Sequence, residues 1–489
     1  MTQAVASPSR SRWLALVVLC AGMLMIVLDE TVVNVALPSI QRDLGFSQAG
    51  LAWVVNAYMI AFGGLLLLAG RLGDLLGRKR IFLTGLAVFS TASMLCGVSG
   101  SQEMLIAARF IQGVGGALTA ALILGMIVTM FPEPREQAKA IGLFSFVASA
   151  GGAIGLLAGG ILTQAVNWHW IFFINLPIGI AAAVLTLRLI ESDRGIGLGG
   201  GADAPGAVLV TAALMLGVYT IVGAADSTRS PVQTLGLGAL ALALLAAFIA
   251  RQATAANPLL PLRIFRSRNV AGANLIEALM VAGLFGMFFL GSLYMQRVLG
   301  YDALQIGLAF LPVATAIGAL SVDLSGRLTA RFGARALLLP SLVLIEVGLV
   351  LFTRAPVDGR YIVDILPVML FIGVGAGLAF PALTTLAMSD ATASDAGLAS
   401  GLINTTAQMG GALGLAVLAM AATSRTDLLL AEGQSAGSAL TGGYHLAFAI
   451  SAGVVIVAII LAAAVLQPST QVQGETIVSE PPVLDTAGT

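Results

Sequence analysis

The chain has 489 residues, of which 58% are hydrophobic and only 10% are charged, and its mean hydropathy is +0.98. Soluble domains carry about 25% charged residues, so this composition indicates an integral membrane protein without a large soluble domain. Lys and Arg balance Asp and Glu at 24 each, which leaves no basic field for nucleic acid. Two cysteines and two histidines are too few for a disulfide framework, a zinc site or a haem pair, so no metal or redox chemistry is expected.

Fourteen apolar segments are predicted to span the membrane, since a spanning helix needs about 20 apolar residues. The first segment is too long for a signal peptide and lacks a small-residue cleavage site, so we interpret it as a permanent span. The segments lie near residues 13–37, 50–69, 81–100, 104–130, 140–162, 168–190, 205–224, 233–250, 270–294, 303–325, 336–353, 361–388, 396–422 and 443–466.

The basic residues predict how these spans are oriented. With a cytoplasmic amino terminus, seventeen Lys and Arg fall on the inner side and six on the outer side, as the positive-inside rule requires. Both termini are therefore expected in the cytoplasm. The abundance of Ala, Gly and Arg with few lysines fits a high-GC bacterium. We expect the protein to lie in the inner (plasma) membrane of the cell. Residues 467–489 contain three prolines and no periodicity, and are predicted to form a disordered cytoplasmic tail.

Two connections in the chain repeat the same pattern. The sequence after span two, Gly70-Arg71-Leu72 followed by Gly77, matches Gly326-Arg327-Leu328 followed by Gly333 after span ten. A repeat displaced by eight spans predicts two six-helix halves separated by two extra helices, which is a common transporter architecture. Spans seven and eight form the insert. Neither has a charge within its apolar run, so we expect both to be lipid-facing packing helices.

Several motifs, in this order and spacing, resemble the major facilitator superfamily and, within it, the fourteen-helix drug:proton antiporters. They are Leu28-Asp29-Glu30-Thr31-Val32-Val33-Asn34-Val35-Ala36-Leu37-Pro38, the loop from Gly70 to Arg80, Arg109-Phe110-Ile111-Gln112-Gly113, the glycine-rich span five, and the segment from Trp168 to Pro177. The family's antiporter motif has proline at the positions of Gly152 and Leu156, which this chain lacks. The departure argues against a proline-shaped bend in span five and, with less weight, against antiport.

The resemblance implies an all-α integral membrane fold of two six-helix bundles plus two inserted helices. We divide the chain into a cytoplasmic amino-terminal tail at 1–12, a first bundle at 13–190, the inserted helices and linkers at 191–269, a second bundle at 270–466 and the tail at 467–489. The two bundles would rock about a central cavity.

Asp29, Glu30 and Arg109 are the candidates for proton coupling. The two acids lie about sixteen residues into span one, which at 1.5 Å per residue places them roughly 24 Å deep. Charged residues at such depth mark ion or substrate paths, although Glu30 could instead be solvated in an external vestibule. A buried guanidinium requires an acceptor, and the resemblance implies that protonating a facing acid weakens its hold on Arg109. The alternative is that Arg109 is a permanent brace to backbone carbonyls.

A second group of residues is predicted to line the substrate cavity. Glu277, in the first span of the second half, would offer a counter-charge to a cationic amphiphile, with aromatic residues nearby as walls. For the span-two members, ordinary packing is the alternative. The full set is Asp29, Glu30, Asn34, Trp53, Asn56, Tyr58, Gln112 and Glu277.

Charged residues of the repeated loop are predicted to form a gating latch. The resemblance implies that Asp74 docks on the start of span thirteen, and the acids there would pair with the basic residues after Gly77. A merely topogenic basic loop is the alternative. The latch set is Gly70, Arg71, Asp74, Gly77, Arg78, Lys79, Arg80, Asp390 and Asp395. Separately, Gly151, Gly155 and Gly159 recur every four residues, which predicts close helix packing.

The expected function is proton-coupled export of hydrophobic drugs or antibiotics, cationic ones among them. Export of a single endogenous metabolite is the alternative, since fold does not fix substrate. No phosphate-binding loop occurs, so ATP is not expected to drive transport, and no cofactor is expected. We expect a monomer whose partners are protons, small hydrophobic substrates and the lipid bilayer, and we do not expect an enzyme, because the acids are scattered over separate spans.

Overall fold

The computed structural model describes residues 9–193, 195, 197, 203–223, 230–389 and 396–467, and this part of the chain is helical without strands. Helices α1 to α14 follow the predicted spans in order. They are α1 Ser9–Leu44, α2 Gln48–Leu76, α3 Arg78–Gly97, α4 Gln102–Met130, α5 Pro134–Ala165, α6 Trp170–Leu189, α7 Ala204–Gly223, α8 Pro231–Thr254, α9 Arg268–Arg297, α10 Ala303–Ala319, α11 Ala334–Phe352, α12 Leu366–Ala387, α13 Ala396–Ala431 and α14 Ala436–Ala464. A 3₁₀ helix, Leu262–Arg266, precedes α9.

Local sequence sets the ends of several helices. Ser47 and Ser101 accept hydrogen bonds from backbone N–H groups in the first turns of α2 and α4, which is the usual role of a serine N-cap. A π-helical turn, Leu320–Leu324, extends α10 into a further helix, Ser325–Phe332. Gly77 and Gly333 end the repeated connections with φ angles of +98° and +86°, which glycine adopts at little cost. The later glycine of the repeat therefore has the same backbone role in both halves.

Twelve helices in the described part of the chain are long and apolar enough to cross a membrane. Two shorter apolar helical segments, Ile154–Ala165 and Ala303–Ala319, lie in α5 and α10. The predicted count of fourteen spans is reached only when these two segments are included. The fold class, an all-helical multi-pass membrane protein, agrees with the prediction.

The helices pack as two groups. Helices α1 to α6 contact one another, α9 to α14 contact one another, and the groups meet mainly along α2 with α13 and along α5 with α10. We call the end of the bundle with the α2 to α3 connection the Gly77 end, and the end with the α5 to α6 connection the Trp168 end. The Gly77 end is the predicted cytoplasmic side.

The inserted helices differ from each other in their packing. Helix α8 is largely exposed, as expected of a lipid-facing helix. Helix α7, however, packs against both α2 and α13, so the expectation of a merely lipid-facing helix does not hold for it. Its Thr211 lies so close to Gly64 of α2 that a methyl group there would come within 2.5 Å of the Thr211 hydroxyl. Small residues on α2, such as Gly64, allow α7 to pack closely over the line of contact between α2 and α13, which we call the α2 and α13 seam.

Glycines bring helix backbones close together at two places. On α5, a methyl group at Gly155 would lie 1.9 Å from the hydroxyl of Thr31 on α1, and one at Gly159 would lie 2.9 Å from the Val32 carbonyl oxygen. On α10, a methyl group at Gly307 would lie 2.6 Å from the Leu156 carbonyl oxygen of α5. The first contact holds the amino-terminal half together, and the second joins the two halves near the Trp168 end.

A buried carboxylate ties α7 to α8. Asp203 precedes α7, pairs with Arg251 of α8, accepts a hydrogen bond of 2.7 Å from Gln252 and accepts the Gly206 N–H at 3.0 Å. Burial acts to raise the pKa of Asp203, but these hydrogen bonds and the Arg251 charge outweigh it and hold the pKa below its usual value.

We expect Asp203→Asn to lower the stability of the α7 and α8 pair by about 1 to 3 kcal/mol, because charge-assisted hydrogen bonds are lost from a buried group. Thermal unfolding of the purified protein measures this, with the exposed Asp427→Asn as the control. A group whose folded pKa is depressed contributes stability above its unfolded pKa, about 3.9 for Asp, and loses it as pH falls through the folded pKa. Equal stability of both variants would contradict the expectation.

Candidate functional site

The centre of the amino-terminal half contains a buried ion pair between α1 and α4. The Arg109 Nη1 atom lies 2.5 Å from Oδ2 of Asp29, and the two residues are 1% and 0% exposed. The other carboxylate oxygen, Oδ1, accepts hydrogen bonds from the side-chain amides of Gln112 at 2.7 Å and Asn175 at 2.9 Å. Both oxygens of Asp29 are thus satisfied, as a charge so far from water requires.

Arg109 has acceptors other than Asp29. Its Nε donates to the Val54 carbonyl oxygen at 2.9 Å, and Nη1 also donates to Oε1 of Gln112 at 2.8 Å. Its Cζ atom lies 4.3 Å from the centre of the Tyr58 ring, a cation–π distance. Arg109 is thus both the ion-pair partner of an acid and hydrogen-bonded to a backbone carbonyl oxygen, while its predicted part in proton coupling stays a prediction.

A serine on α3 anchors this polar cluster to the backbone. The Ser93 hydroxyl accepts hydrogen bonds from Asn175 at 3.0 Å and Gln112 at 3.2 Å, and donates to the Phe172 carbonyl oxygen at 2.9 Å. Sequence reasoning missed both Ser93 and Asn175. Asn175 lies within the segment from Trp168 to Pro177, and its polar amide among apolar residues could have marked it as a site residue. Ser93 is an isolated serine in span three, and nothing in the sequence marks it.

Glu30 has surroundings unlike those of Asp29. It is half-buried, and its Oε1 accepts a hydrogen bond of 3.0 Å from Nε2 of Gln408 on α13. Asn34, one turn further along α1, donates to the backbone carbonyl oxygen of Glu30 at 3.0 Å. Sequence reasoning missed Gln408. The adjacent acids therefore face different partners, one within its own half and one across the two halves.

The remaining predicted cavity residues are not all gathered in one place. Gln112 and Tyr58 belong to the cluster around Asp29, and Trp53 is half-buried against the core. Asn56 is fully buried, and within the described part of the chain its side-chain atoms have no hydrogen-bond partner. Glu277 lies in the other half, 5% exposed, with its Oε2 likewise unpartnered there. Such buried, unsatisfied polar atoms are candidates for binding a ligand or water.

The predicted latch residues lie at the Gly77 end. Arg78 pairs with Asp74 at 3.1 Å and donates to the Gly125 carbonyl oxygen at 3.0 Å. Lys79 donates to the carbonyl oxygens of Leu187, at 3.1 Å, and of Ile190. Arg80 is exposed, and a methyl group at Gly70 would meet open space. Asp390 and Asp395 lie outside the described residues, so their pairing with this loop stays a prediction.

A carboxylate that sequence reasoning missed positions the same loop. The two oxygens of Asp193 accept the backbone N–H groups of Arg78 at 2.7 Å and Lys79 at 3.1 Å, at the start of α3. An acid at this point satisfies helix N–H groups and interacts favourably with the helix dipole. The basic loop is thereby fixed to the end of α6.

Two packed helical groups in a multi-pass bundle, with a buried ion pair inside one of them, define a membrane transport protein rather than a receptor or scaffold. The chain belongs to the Major Facilitator Superfamily, whose family model matches residues 19–415. The family resemblance predicted from the sequence is thus confirmed.

Among its relatives, the chain is 38% identical to a puromycin resistance protein of Streptomyces alboniger, over 96% of this chain and 94% of that protein. It is also 38% identical to a cephamycin export protein of Amycolatopsis lactamdurans, over 84% and 85% of the two chains. Among solved structures, an auto-inhibited peptide transporter of the POT family superposes with a TM-score of 0.68 at 15% identity, covering 95% of this chain and 98% of that one. The last likeness concerns the fold alone.

Proposed function

We propose that this protein is a secondary exporter that exchanges protons for hydrophobic drugs or antibiotics, cationic ones among them, by alternating access. The polar cluster of Asp29, Arg109, Gln112 and Asn175 is the observation that carries the proposal. Buried charge at mid-depth is costly, and in membrane proteins it marks ion and substrate paths. The relatives named for antibiotic resistance and export support the direction and the class of substrate.

The cluster is suited to reversible proton uptake. A proton on Asp29 would remove the charge that holds the Arg109 guanidinium. Arg109 would then keep the Val54 carbonyl oxygen and the Gln112 side-chain oxygen as acceptors, so it would not be stranded without partners. These two acceptors would lower the cost of protonating Asp29, compared with an arginine that had the carboxylate as its single partner.

Acids that are not committed to the ion pair would recognise the substrate. Glu30 and Glu277 lie in opposite halves and neither forms an ion pair within the described residues. A cation entering between the halves would find a carboxylate on each side. Apolar side chains such as Trp53 would accommodate its hydrophobic part.

We also propose the finer features that the sequence predicts. Both termini would lie in the cytoplasm of a bacterial cell with the protein in the inner membrane, the chain would work as a monomer, and the basic loop after Gly77 would latch onto Asp390 or Asp395. The positive-inside bias supports the orientation. The fixed geometry of the loop, held by Asp193, supports a gating surface at the Gly77 end.

A narrower function is the second candidate. Both relatives described above are named for one compound each, puromycin and cephamycin. This favours an exporter of a single natural product over a broad multidrug exporter, without changing the proposed coupling.

The test is transport of a panel of cationic and neutral hydrophobic compounds, measured as uptake into inverted vesicles or efflux from loaded cells, with and without a collapsed proton gradient. We expect gradient-dependent efflux in the wild type and its loss in Asp29→Asn, because the neutral amide cannot exchange a proton. The exposed Asp427→Asn is the matched control. Efflux of one compound alone would select the narrower function. Efflux that survives in Asp29→Asn, or that ignores the gradient, would refute the coupling.

A further inference from the structure

One polar contact joins the two halves at the middle of the bundle. The Gln408 amide nitrogen on α13 donates to Oε1 of Glu30 on α1 at 3.0 Å. The amide oxygen of the same residue, Gln408 Oε1, is buried and has no hydrogen-bond partner among the described residues. A buried acceptor left without a donor is unfavourable. Gln408 thus uses only one of its two hydrogen-bonding groups when it meets Glu30.

The chemistry of the pair supplies the missing donor. An ionised carboxylate only accepts hydrogen bonds, whereas a protonated carboxyl group also has one O–H that donates. A proton taken from water onto Glu30 would allow its O–H to donate to Gln408 Oε1, while the amide N–H still donates to the other carboxyl oxygen. The pair would then share two hydrogen bonds rather than one.

We propose that Gln408 is a positioning residue that holds the two halves together more tightly when Glu30 carries a proton and less tightly when it does not. The role of this contact in transport rests on the proposed proton coupling. Its effect on the distance between the halves does not, because that effect needs only protons and the two side chains.

Packing holds Gln408 where this contact requires it. A methyl group at Gly63 of α2 would lie 2.9 Å from Cβ of Gln408 and 3.4 Å from the Thr405 carbonyl oxygen. Nearer the Gly77 end, a methyl group at Gly401 would lie 2.8 Å from a Leu67 methyl carbon. The seam between α2 and α13 is therefore tight at Gln408 and continues toward the Gly77 end, so a change in the Glu30 contact acts on the whole seam.

Several charged and titratable groups surround Glu30, but the hydrogen bond to its side chain in the described residues comes from Gln408. Asp29 on the same helix, Arg109 on α4 and Tyr58 on α2 act on Glu30 electrostatically, and Arg109 is already bonded to Asp29. Helix α9, which also packs against α1, contributes Glu277. The other titratable groups on the helices that contact α1 lie toward the helix ends, among them Arg71, Asp74, Glu136, Lys139, Arg188 and Asp302.

Loss of the proton from Glu30 would have two effects, and both favour separation of the halves. One hydrogen bond across the halves would break, and a negative charge without a paired cation would remain between them. Water solvates such a charge far better than the bundle interior does. Deprotonation therefore favours separation of the halves along the α2 and α13 seam, toward the Gly77 end.

Distance measurement between the halves tests the proposal. Spin labels on Leu187→Cys and Phe332→Cys would report on the Gly77 end, since both side chains are exposed there and the native Cys20 and Cys96 are buried. In lipid nanodiscs without substrate, we expect the ratio of short to long distances to rise about fivefold from pH 9 to pH 5, the effect of one net hydrogen bond. Gln408→Leu should reduce this rise markedly, because the hydrogen bonding across the halves is lost and only the effect of the Glu30 charge remains.

Two further variants keep the test decisive. The exchange of Glu30→Gln with Gln408→Glu restores an acid and an amide in contact, so the pH dependence should return if the pair causes it. Gln296→Leu, which changes a half-buried glutamine at the Trp168 end, should keep the wild-type profile. An undiminished rise in Gln408→Leu, or no rise in the wild type, would overturn the proposal. If the distance depends on pH but no compound is exported, the proposal for Gln408 stands and the proposed function is wrong.

Discussion

Replacing Arg109 with leucine should abolish transport and destabilise the amino-terminal half by about 3 to 5 kcal/mol, the cost of leaving one member of a buried ion pair alone. Asp29 is fully buried, and Arg109 is its only cationic partner in the described residues. The remaining donors, Gln112 and Asn175, satisfy hydrogen bonds but do not neutralise the charge. Thermal unfolding in detergent and transport in proteoliposomes measure the two effects.

A double variant separates stability from function. Removing both charges, with Asp29→Leu and Arg109→Leu together, should recover much of the lost stability, because no unpaired charge is then buried. Transport should stay absent, because no group remains to exchange a proton. Recovery of transport in the double variant would show that the ion pair serves folding alone. A single Arg109→Leu protein with unchanged melting temperature would show that Asp29 finds another counter-charge.

Adding one methyl group at Gly307 should weaken closure of the two halves at the Trp168 end. In Gly307→Ala the new carbon would lie 2.6 Å from the Leu156 carbonyl oxygen, so α5 and α10 must move apart. Overpacking of this kind costs about 1 to 3 kcal/mol. We expect a population open at the Trp168 end to grow, and transport to fall, because the return to the closed arrangement is disfavoured.

The control is a glycine-to-alanine substitution at a position where the added methyl group meets no neighbouring atom. Gly453 on α14 has no atom within 4 Å of an added methyl group, so Gly453→Ala should leave the distance between the halves and the transport rate unchanged. Spin labels on α5 and α10 near the Trp168 end report the separation of the two halves there. Identical behaviour of the two variants would mean that the α5 and α10 contact does not limit closure.

Much of the fold could be predicted from the sequence, because each membrane-spanning helix corresponds to a long run of apolar residues. The order of the fourteen helices, the equivalent turns at Gly77 and Gly333 and the family all followed from hydropathy and motifs. What hydropathy did not reveal was the packing of α7. An apolar helix can face lipid or another helix, and only the small residues opposite it, such as Gly64, decide between them.

The sequence singled out Asp29, Arg109 and Gln112, but not the other neutral members of the site, which are Ser93, Asn175 and Gln408. Asp29 and Arg109 are conspicuous because charge in a span is rare. Asn175 is 146 residues from Asp29 in sequence and Gln408 is 378 residues from Glu30, so their pairing depends on how helices assemble. An amide among apolar residues, such as Asn175, can be noticed in the sequence, but its position along the chain does not indicate which acid it contacts.

The packing of α7 also determines how compounds dissolved in the bilayer reach the interior. Helix α7 covers the seam between α2 and α13 and is fastened to α8 by Asp203 and Arg251. Acyl chains and membrane-dissolved molecules are therefore kept from that side of the protein. Within the described residues, neither inserted helix makes a substantial contact with α5 or α10, so the seam between these two helices is not covered in the same way. Hydrophobic compounds that partition into the membrane should therefore meet the seam between α5 and α10 more readily than the seam that α7 covers.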